Sequence, residues 1–284
     1  MAGASMKDIK LRIRSVEGTM QITKAMELVA SSKLRRAKAR QERCRPYYTQ
    51  LKRTLDNIEA TALDFSSPFQ SGRPLKKRCL VVIAGDRGLA GGYNSNVLKA
   101  ACERMADGVP ACVLPIGRRA VDFFKHRGME IVTEAFAEAA GVSIADCFSI
   151  GSLVSRGYLE GQYDEVAVVY TQFVSMLVQT PAAEHLLPLR SSGPQSASGV
   201  HSLTLYEPSP AAVYDAIVPN YVAGMLYGAL CESVASELGA RRTAMDSASK
   251  NAEEMIEDLN LRYNRARQGA ITQEITEIVA GAEH

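Results

Sequence analysis

No CxxC pair occurs among the six cysteines of this 284-residue chain; Cys44, Cys79, Cys102, Cys112, Cys147 and Cys231 lie far apart. That spacing argues against a zinc site and fits reduced, mostly structural thiols in a cytosolic compartment. Only four histidines are present, none in HxH or HExxH spacing, which removes most metal-enzyme readings. Long apolar runs are missing too. The longest uncharged stretch, Val166 to Ala183, is broken by Thr171, Gln172, Ser175, Gln179 and Pro181 and is too polar to cross a bilayer. No charged n-region, apolar h-region and cleavage site open the chain, so secretion is not expected. Nor is any Ser/His/Asp or Cys/His arrangement discernible, and no pair of acids stands out for acid–base work. Glu274 and Glu277 share a helical face, but so near a chain end they are expected to meet solvent or a partner.

What is present can bury a core: 46% of the residues are hydrophobic, enough for one large domain or two ordinary ones. Proline is distributed unevenly. None precedes Pro46, none follows Pro219, and the other nine fall between Pro68 and Pro210. The two ends therefore read as long helices and the middle as a domain with turns.

Periodicity supports this. Ile9, Ile13, Val16 and Met20 form a helical stripe, with a neighbouring one at Ile22, Met26 and Val29. From Leu34 the steps of three and four become regular through Ala37, Gln41, Cys44, Tyr48, Leu51, Leu55, Ile58 and Ala62, the signature of a coiled-coil seam. Pro46 should kink this helix without ending it, because the register resumes unchanged. A second seam runs through Tyr214, Ile217, Tyr221, Gly224, Gly228, Cys231, Ala235 and Leu238. It continues at Arg242, Met245, Ser249, Ala252, Ile256, Leu259, Tyr263 and Ala266. Its small residues allow close approach of another helix. Sixty helical residues would measure about 90 Å, longer than any domain this chain could build, so the helix must pair with the other arm, enter a partner, or both.

The middle alternates strand and helix. Strands are expected at Leu80–Ile83, Ala111–Ile116 and Val166–Tyr170, and helices at Asn94–Met105, Arg118–Arg127 and Ile144–Glu160, implying a largely parallel sheet. Ser191 to Gly199 reads as a flexible connection. Since both arms leave one domain, they return most simply as an antiparallel pair. The expected class is α/β with long helices: N- and C-terminal helices in an antiparallel coiled coil flank a central Rossmann-like α/β domain. The boundaries are residues 1–65, 75–206 and 209–284.

The net charge of +2 conceals a segregation. Between Lys7 and Arg53 there are 14 Lys or Arg against 4 Asp or Glu, and the remainder is acidic. A solvated coiled-coil face is the usual source of a charge run, but this imbalance exceeds a balanced e/g pattern and favours an acidic partner. Nucleic acid is a weaker reading, because only Tyr47 and Tyr48 supply aromatics there. Gly85 to Gly92 follows a strand and precedes a helix, where phosphate is usually bound. Yet its glycines fall at relative positions 1, 4, 7 and 8, not 1, 3 and 6, and no Gly-Lys-Ser/Thr follows. Turn chemistry or a contact loop is the better reading.

Several motifs together resemble the gamma subunit of F-type ATP synthases. They are Met20-Gln-Ile-Thr-Lys-Ala-Met26 running on to Val29-Ala-Ser-Ser-Lys-Leu-Arg-Arg36, Asp86-Arg-Gly-Leu-Ala-Gly-Gly92 with Asn94, and Ala240-Arg-Arg-Thr-Ala-Met245. Tyr263-Asn-Arg-Ala-Arg-Gln268, Ile271-Thr-Gln-Glu-Ile-Thr-Glu277 and Gly281-Ala282 complete them, so the resemblance runs from about Asp8 to Ala282 in the family's order. Ala90 stands where many members carry Cys, and the chain stops at His284 where members usually end in small or apolar residues. The cysteine-bearing segment of the chloroplast form is missing, and so is a transit peptide, which points to a bacterial type.

The resemblance implies a non-catalytic central rotor shaft. Its paired arms would stand inside a ring of alternating alpha and beta subunits, and its α/β domain would join the epsilon subunit and the membrane-embedded c-ring. It implies no cofactor, no metal, no nucleic acid and no direct nucleotide binding, with a place at the cytoplasmic face of a bacterial membrane. By motif, Met26 would lie in the coupling region, and Arg267, Gln268, Thr272 and Glu274 would face the ring. Arg87 joins them as a partner contact in the glycine-rich motif. From charge alone, Arg35 and Arg36 are candidates for acidic loops of the beta subunits. The remaining alternatives are a nucleotide-dependent enzyme with coiled-coil arms and a coiled-coil scaffold binding an acidic partner or nucleic acid.

Overall fold

The computed structural model describes residues 6–61, 66–70, 72–189 and 206–282. The connection expected at Ser191 to Gly199, the seam position Ala62 and the chain end at His284 lie outside them. Two helices dominate: α1 (Met6–Thr61) and α5 (Pro210–Ala282). Each passes through a proline, Pro46 in α1 and Pro219 in α5. Packing on both sides of each proline offsets the lost backbone hydrogen bond. By contact the chain divides into two compact units: Ser32–Ala240, and Met1–Ser31 with Arg241–His284.

The unit Ser32–Ala240 is built on a five-stranded sheet ordered β3-β2-β1-β4-β5. Strand β1 (Arg78–Ile83) is buried along its whole length and pairs in parallel with β2 (Ala111–Ile116) and β4 (Glu165–Phe173). A short apolar run covered on both faces is what a central parallel strand requires. Alternate residues of β1 serve two cores. Leu80 and Val82 meet Val97, Leu98 and Ala101 of α2 (Tyr93–Arg104) and Ala120 and Phe124 of α3 (Arg118–His126). On the other face Cys79, Val81 and Ile83 meet Cys147, Ile150 and Val154 of α4 (Ile144–Leu159), with Leu55 and Ile58 of α1 and Tyr214 to Cys231 of α5. Helix α4 starts on a capping box in which Ser143 and Asp146 satisfy each other's backbone amides.

Three of the four strand pairings are parallel, but the fourth is not, so the sheet is mixed. Strand β5 (Gln179–Leu187) runs antiparallel to β4 along nearly its full length. The pair is a hairpin closed at Ser175 N–H to Val178 O, 2.9 Å. The polar, uncharged run that is unable to cross a bilayer is this hairpin. Its edge strand carries Pro181, whose missing N–H costs least where one side of the strand has no neighbour. The remaining strand, β3 (Glu130–Ile131), is only two residues long.

Within this unit α1 and α5 pack antiparallel. Leu34 and Ala37 meet Ala235 and Leu238, Tyr48 lies against Gly224 and Gly228, and the Tyr214 hydroxyl donates to Glu59 at 2.7 Å. The glycines leave room for that ring: a Cβ at Gly228 would sit 3.1 Å from it, so Tyr48 would have to give by a few tenths of an ångström. In the other unit the same sense holds. Thr23 and Ser249 hydroxyls share a 2.6 Å hydrogen bond, Lys24 pairs with Glu253 at 2.6 Å, and Glu27 with Arg242 at 3.7 Å. The buried faces there are Ile9, Thr23 and Ala30 against Met245, Ser249, Ala252 and Leu259. The neighbouring stripe read at Ile22, Met26 and Val29 is not a buried seam. Ile22 is 63% and Val29 53% exposed, and Met26 is half-buried.

Candidate functional site

Two surfaces carry the chain's distinctive chemistry, and each belongs to one unit. The first is the turn after β1. In a doubly wound sheet the crevice beyond the strand ends, where strand order reverses, is the usual ligand site. Here β1 ends at Ile83 and Gly85 to Gly92 crosses that position. The Asn94 side chain closes the turn: its Oδ1 accepts from Gly85 N–H at 2.9 Å and its Nδ2 donates to Arg87 O at 3.1 Å. Leu89 and Gly91 both take positive φ, 62° and 54°. Gly117, at the start of α3, has φ 97°, and a Cβ there would lie 2.1 Å from Ala84 O.

Asp86 decides what this crevice does. Its carboxylate accepts from the backbone N–H groups of Ala139 at 2.8 Å, Ala140 at 3.1 Å and Arg118 at 3.3 Å. Two of these amides open the 3₁₀ turn Ala139–Gly141 and the third opens α3. Amides at helix starts are the groups that cradle phosphate in nucleotide-binding members of this architecture. Here a side chain of the same polypeptide takes them. The Arg87 side chain is exposed beside this lock.

Next to it, α1, α5 and residues 139–142 enclose a groove of about 220 Å³. Ala37, Val142, Leu230 and Leu238 contribute its apolar lining, while Lys33, Arg36 and Arg40 bring the charge. No acidic residue lines it. Arg36 is thus beside a groove, whereas Arg35 is not among its lining residues; neither makes an ion pair among the described residues.

The second surface lies in the unit formed by the chain ends. Beyond Leu259 no described residue of α5 is buried. Arg267, Gln268, Thr272 and Glu274 are all exposed there; the Thr272 hydroxyl donates to Gln268 O at 2.9 Å. Among them stand exposed apolar side chains, Ile271, Ile275, Ile278 and Val279, the last two 71% and 56% accessible. Met26, in α1 of the same unit, is half-buried with Ile22, Leu28 and Val29 exposed around it. Exposed apolar side chains grouped in this way are a feature of interaction surfaces.

The candidate residues are therefore not gathered into one pocket. Met26, Arg267, Gln268, Thr272 and Glu274 belong to one unit, and Arg35, Arg36 and Arg87 to the other. Sequence reasoning missed the work of Asp86 and Asn94, although both lie in a quoted motif. An acidic residue placed directly after a strand, where a phosphate would sit, was the available signal.

A Rossmann-like sheet whose anion cradle is filled from within, joined to antiparallel helices with an unburied apolar end, defines a class of contact-making, coiled-coil stalk proteins. A family model described as ATP synthase matches residues 5–284. The ATP synthase gamma chain of Ruminococcus albus is 46% identical over 280 residues, covering 97% of this chain and 96% of its own. The gamma chain of Acetobacterium woodii, described as sodium ion specific, is 42% identical with 98% of each chain covered. A chain from the mitochondrial ATP synthase of Euglena gracilis, in an OSCP/F1/c-ring assembly, has the same fold. Its TM-score is 0.67 at 16% identity, with 98% of this chain and 93% of that one covered. A chain from the central stalk and c-ring of the Tetrahymena thermophila enzyme matches with TM-score 0.59 at 24% identity, over 80% and 99%. The chain belongs to the ATP synthase gamma-chain family, whose members are non-catalytic subunits of that complex.

Proposed function

We propose that this chain is the central rotor shaft of an F-type ATP synthase, carrying rotation between the ion-driven membrane ring and the catalytic beta subunits. The observation that carries the reading is the outer end of α5, a helix of unbroken backbone with no buried residue after Leu259 among those described and four exposed apolar side chains near its end. Apolar contact with a surrounding sleeve of alpha and beta subunits permits turning, where strong polar bonds would resist it. Because the two helices present different side chains around the axis, three identical neighbours would be touched differently at any instant. Each orientation then favours one affinity state at each catalytic site, and nucleotide events push back on the shaft by the same coupling.

In this reading Met26, Arg267, Gln268, Thr272 and Glu274 meet the ring. Arg35 and Arg36 meet acidic loops of the beta subunits, with Arg87 as a further contact. The sheet unit joins the epsilon subunit and the c-ring. No helix among the described residues is long and apolar enough to cross a membrane, in keeping with peripheral attachment at the cytoplasmic face of a bacterial membrane. With the cradle amides held by Asp86, no nucleotide is assigned to this chain.

Co-purification with alpha and beta subunits tests the assignment. A salt-sensitive DNA shift by the purified chain, with no recovery of those subunits, would instead favour the nucleic-acid scaffold. Met26→Lys tests the coupling role: a charge at this half-buried position should lower the protons or sodium ions pumped per ATP hydrolysed in the assembled complex. An unchanged ratio removes Met26 from the coupling set.

A further inference from the structure

We propose that the groove enclosed by α1, α5 and residues 139–142 binds a medium-chain fatty carboxylate, its head on Lys33, Arg36 and Arg40 and its chain along α5. The site stands on the groove itself and uses nothing of the shaft assignment. Its two sides differ in the sequence. On α1, Lys33, Arg36 and Arg40 follow at steps of three and four, which sets three cations on one helical face. On α5, Leu230, Val234 and Leu238 recur every four residues and form an aliphatic wall, closed by Ala37 and Val142. An apolar cavity with a few charged groups at one side is the general form of a small-molecule site.

The charge selects the head. No acidic residue lines the groove, and none of its three cations pairs with a carboxylate among the described residues. Like charges gathered beside apolar walls raise the local potential and attract an anion. Arg40 is already held in place: its Nε donates to the Tyr227 hydroxyl at 2.5 Å, and its guanidinium lies 5.1 Å from that ring's centroid. A guanidinium fixed beforehand loses little freedom on binding, and its fork suits the two oxygens of a carboxylate. The backbone amides of Ala139 and Ala140, the natural seat of a phosphate, already donate to Asp86 at 2.8 and 3.1 Å. The head is therefore left to side chains.

The volume selects the body. An apolar cavity of about 150 Å³ takes a benzene ring. The groove measures about 220 Å³, room in the same proportion for a chain of about eight carbons. No aromatic side chain lines it, so the wall fits an alkyl chain with no ring to stack. An acidic peptide would satisfy the cations equally well. It would also bring backbone N–H and C=O groups against aliphatic walls that cannot pair them.

The test titrates the purified full-length chain with octanoate by calorimetry, and follows the methyl signals of Val142, Leu230, Val234 and Leu238 by NMR. Saturable binding of one octanoate is expected, with shifts concentrated on those four residues. Octanol, which keeps the chain and loses the charge, should bind about tenfold more weakly. Butyrate, which keeps the charge and loses four methylenes, should also weaken by more than about tenfold. Arg36→Gln should reduce octanoate affinity about fivefold to tenfold with the unfolding midpoint unchanged. Ala140→Trp, at an exposed position of the lining, should block the groove and abolish binding. Octanol binding as tightly as octanoate, undiminished affinity in Arg36→Gln, or shifts centred on other residues overturns the proposal. So does tighter binding of octyl phosphate, or saturation by a glutamate-rich peptide where octanoate fails to bind.

Discussion

The two ends of α5 share one continuous helix and almost nothing else. From Tyr221 to Leu230 every residue but Met225 is buried, against α1 on one side and α4 and the sheet on another. After Leu259 no described residue is, with Tyr263, Ala266 and Ala270 half-buried, and the side-chain bonds found there run along the helix itself. Arg262 reaches Asp258 at 2.8 Å, Gln273 reaches Glu277 at 2.9 Å, and the hydroxyls of Thr272 and Thr276 cap carbonyls four residues back. Such pairs contribute a few tenths of a kcal/mol each, whereas a packed leucine contributes several-fold more. The inner part is therefore a structural element of the fold, and the outer part is exposed surface that in the proposed reading meets the ring.

That contrast can be broken by matched substitutions. Leu226 is fully buried, so Leu226→Ala should cost about 3 kcal/mol in the denaturant unfolding of the isolated chain. Ile275→Ala, on the exposed end, should cost less than about 0.5 kcal/mol in the same assay. Equal losses would mean the outer end is packed after all. Glycine gives a change of sign. Enlarging Gly228, whose Cβ position is 3.1 Å from the Tyr48 ring, to Ile should destabilise by about 1–3 kcal/mol through overpacking. At Gly269, where nothing lies within 4 Å, Ala should stabilise by about 0.5–1 kcal/mol through helix propensity.

Acid separates the regions in another way. Burial alone would raise the Asp164 carboxyl, but the backbone N–H groups of Lys76 and Lys77, at 2.9 and 3.1 Å, and the Arg73 guanidinium at 2.7 Å hold it below the usual carboxylate range. A depressed acid contributes stability above its unfolded pKa and loses it as pH falls through the folded one. The sheet unit should therefore weaken below the ordinary carboxylate range. Asp164→Asn should flatten that acid limb, visible in stability measured against pH. The smallest effect is expected at the exposed pair Lys24–Glu253: a double-mutant cycle should return no more than about 0.5 kcal/mol, falling with salt.

Much of this architecture was readable from spacing. β2 matches its expected bounds, and α2, α3 and α4 differ from theirs by a residue or so, because apolar runs and helical periods are local signals. Strand β3 is too short to leave a pattern, and β5 is half-exposed with a proline inside, so neither announced itself. Ile22 and Val29, read as a helical stripe, do lie on a helix but are exposed on it. A helical stripe reports that a face is apolar but not whether the chain itself or another protein covers it. For the proposed contact residues the motifs alone supply the positions. Asp86 escaped for a different reason: its partners are backbone amides as much as 54 residues away, and amides have no sequence identity to read.

That lock has a consequence for how such a loop can be used. A crevice that binds a nucleotide changes with each ligand that arrives and leaves, and its neighbouring elements shift with occupancy. Where the anion is covalently part of the chain, the local concentration of ligand never varies. The starts of α3 and of the 3₁₀ turn are then tied to the end of β1 by a group of the chain itself. The crossover after β1 is thereby held as a fixed bracket.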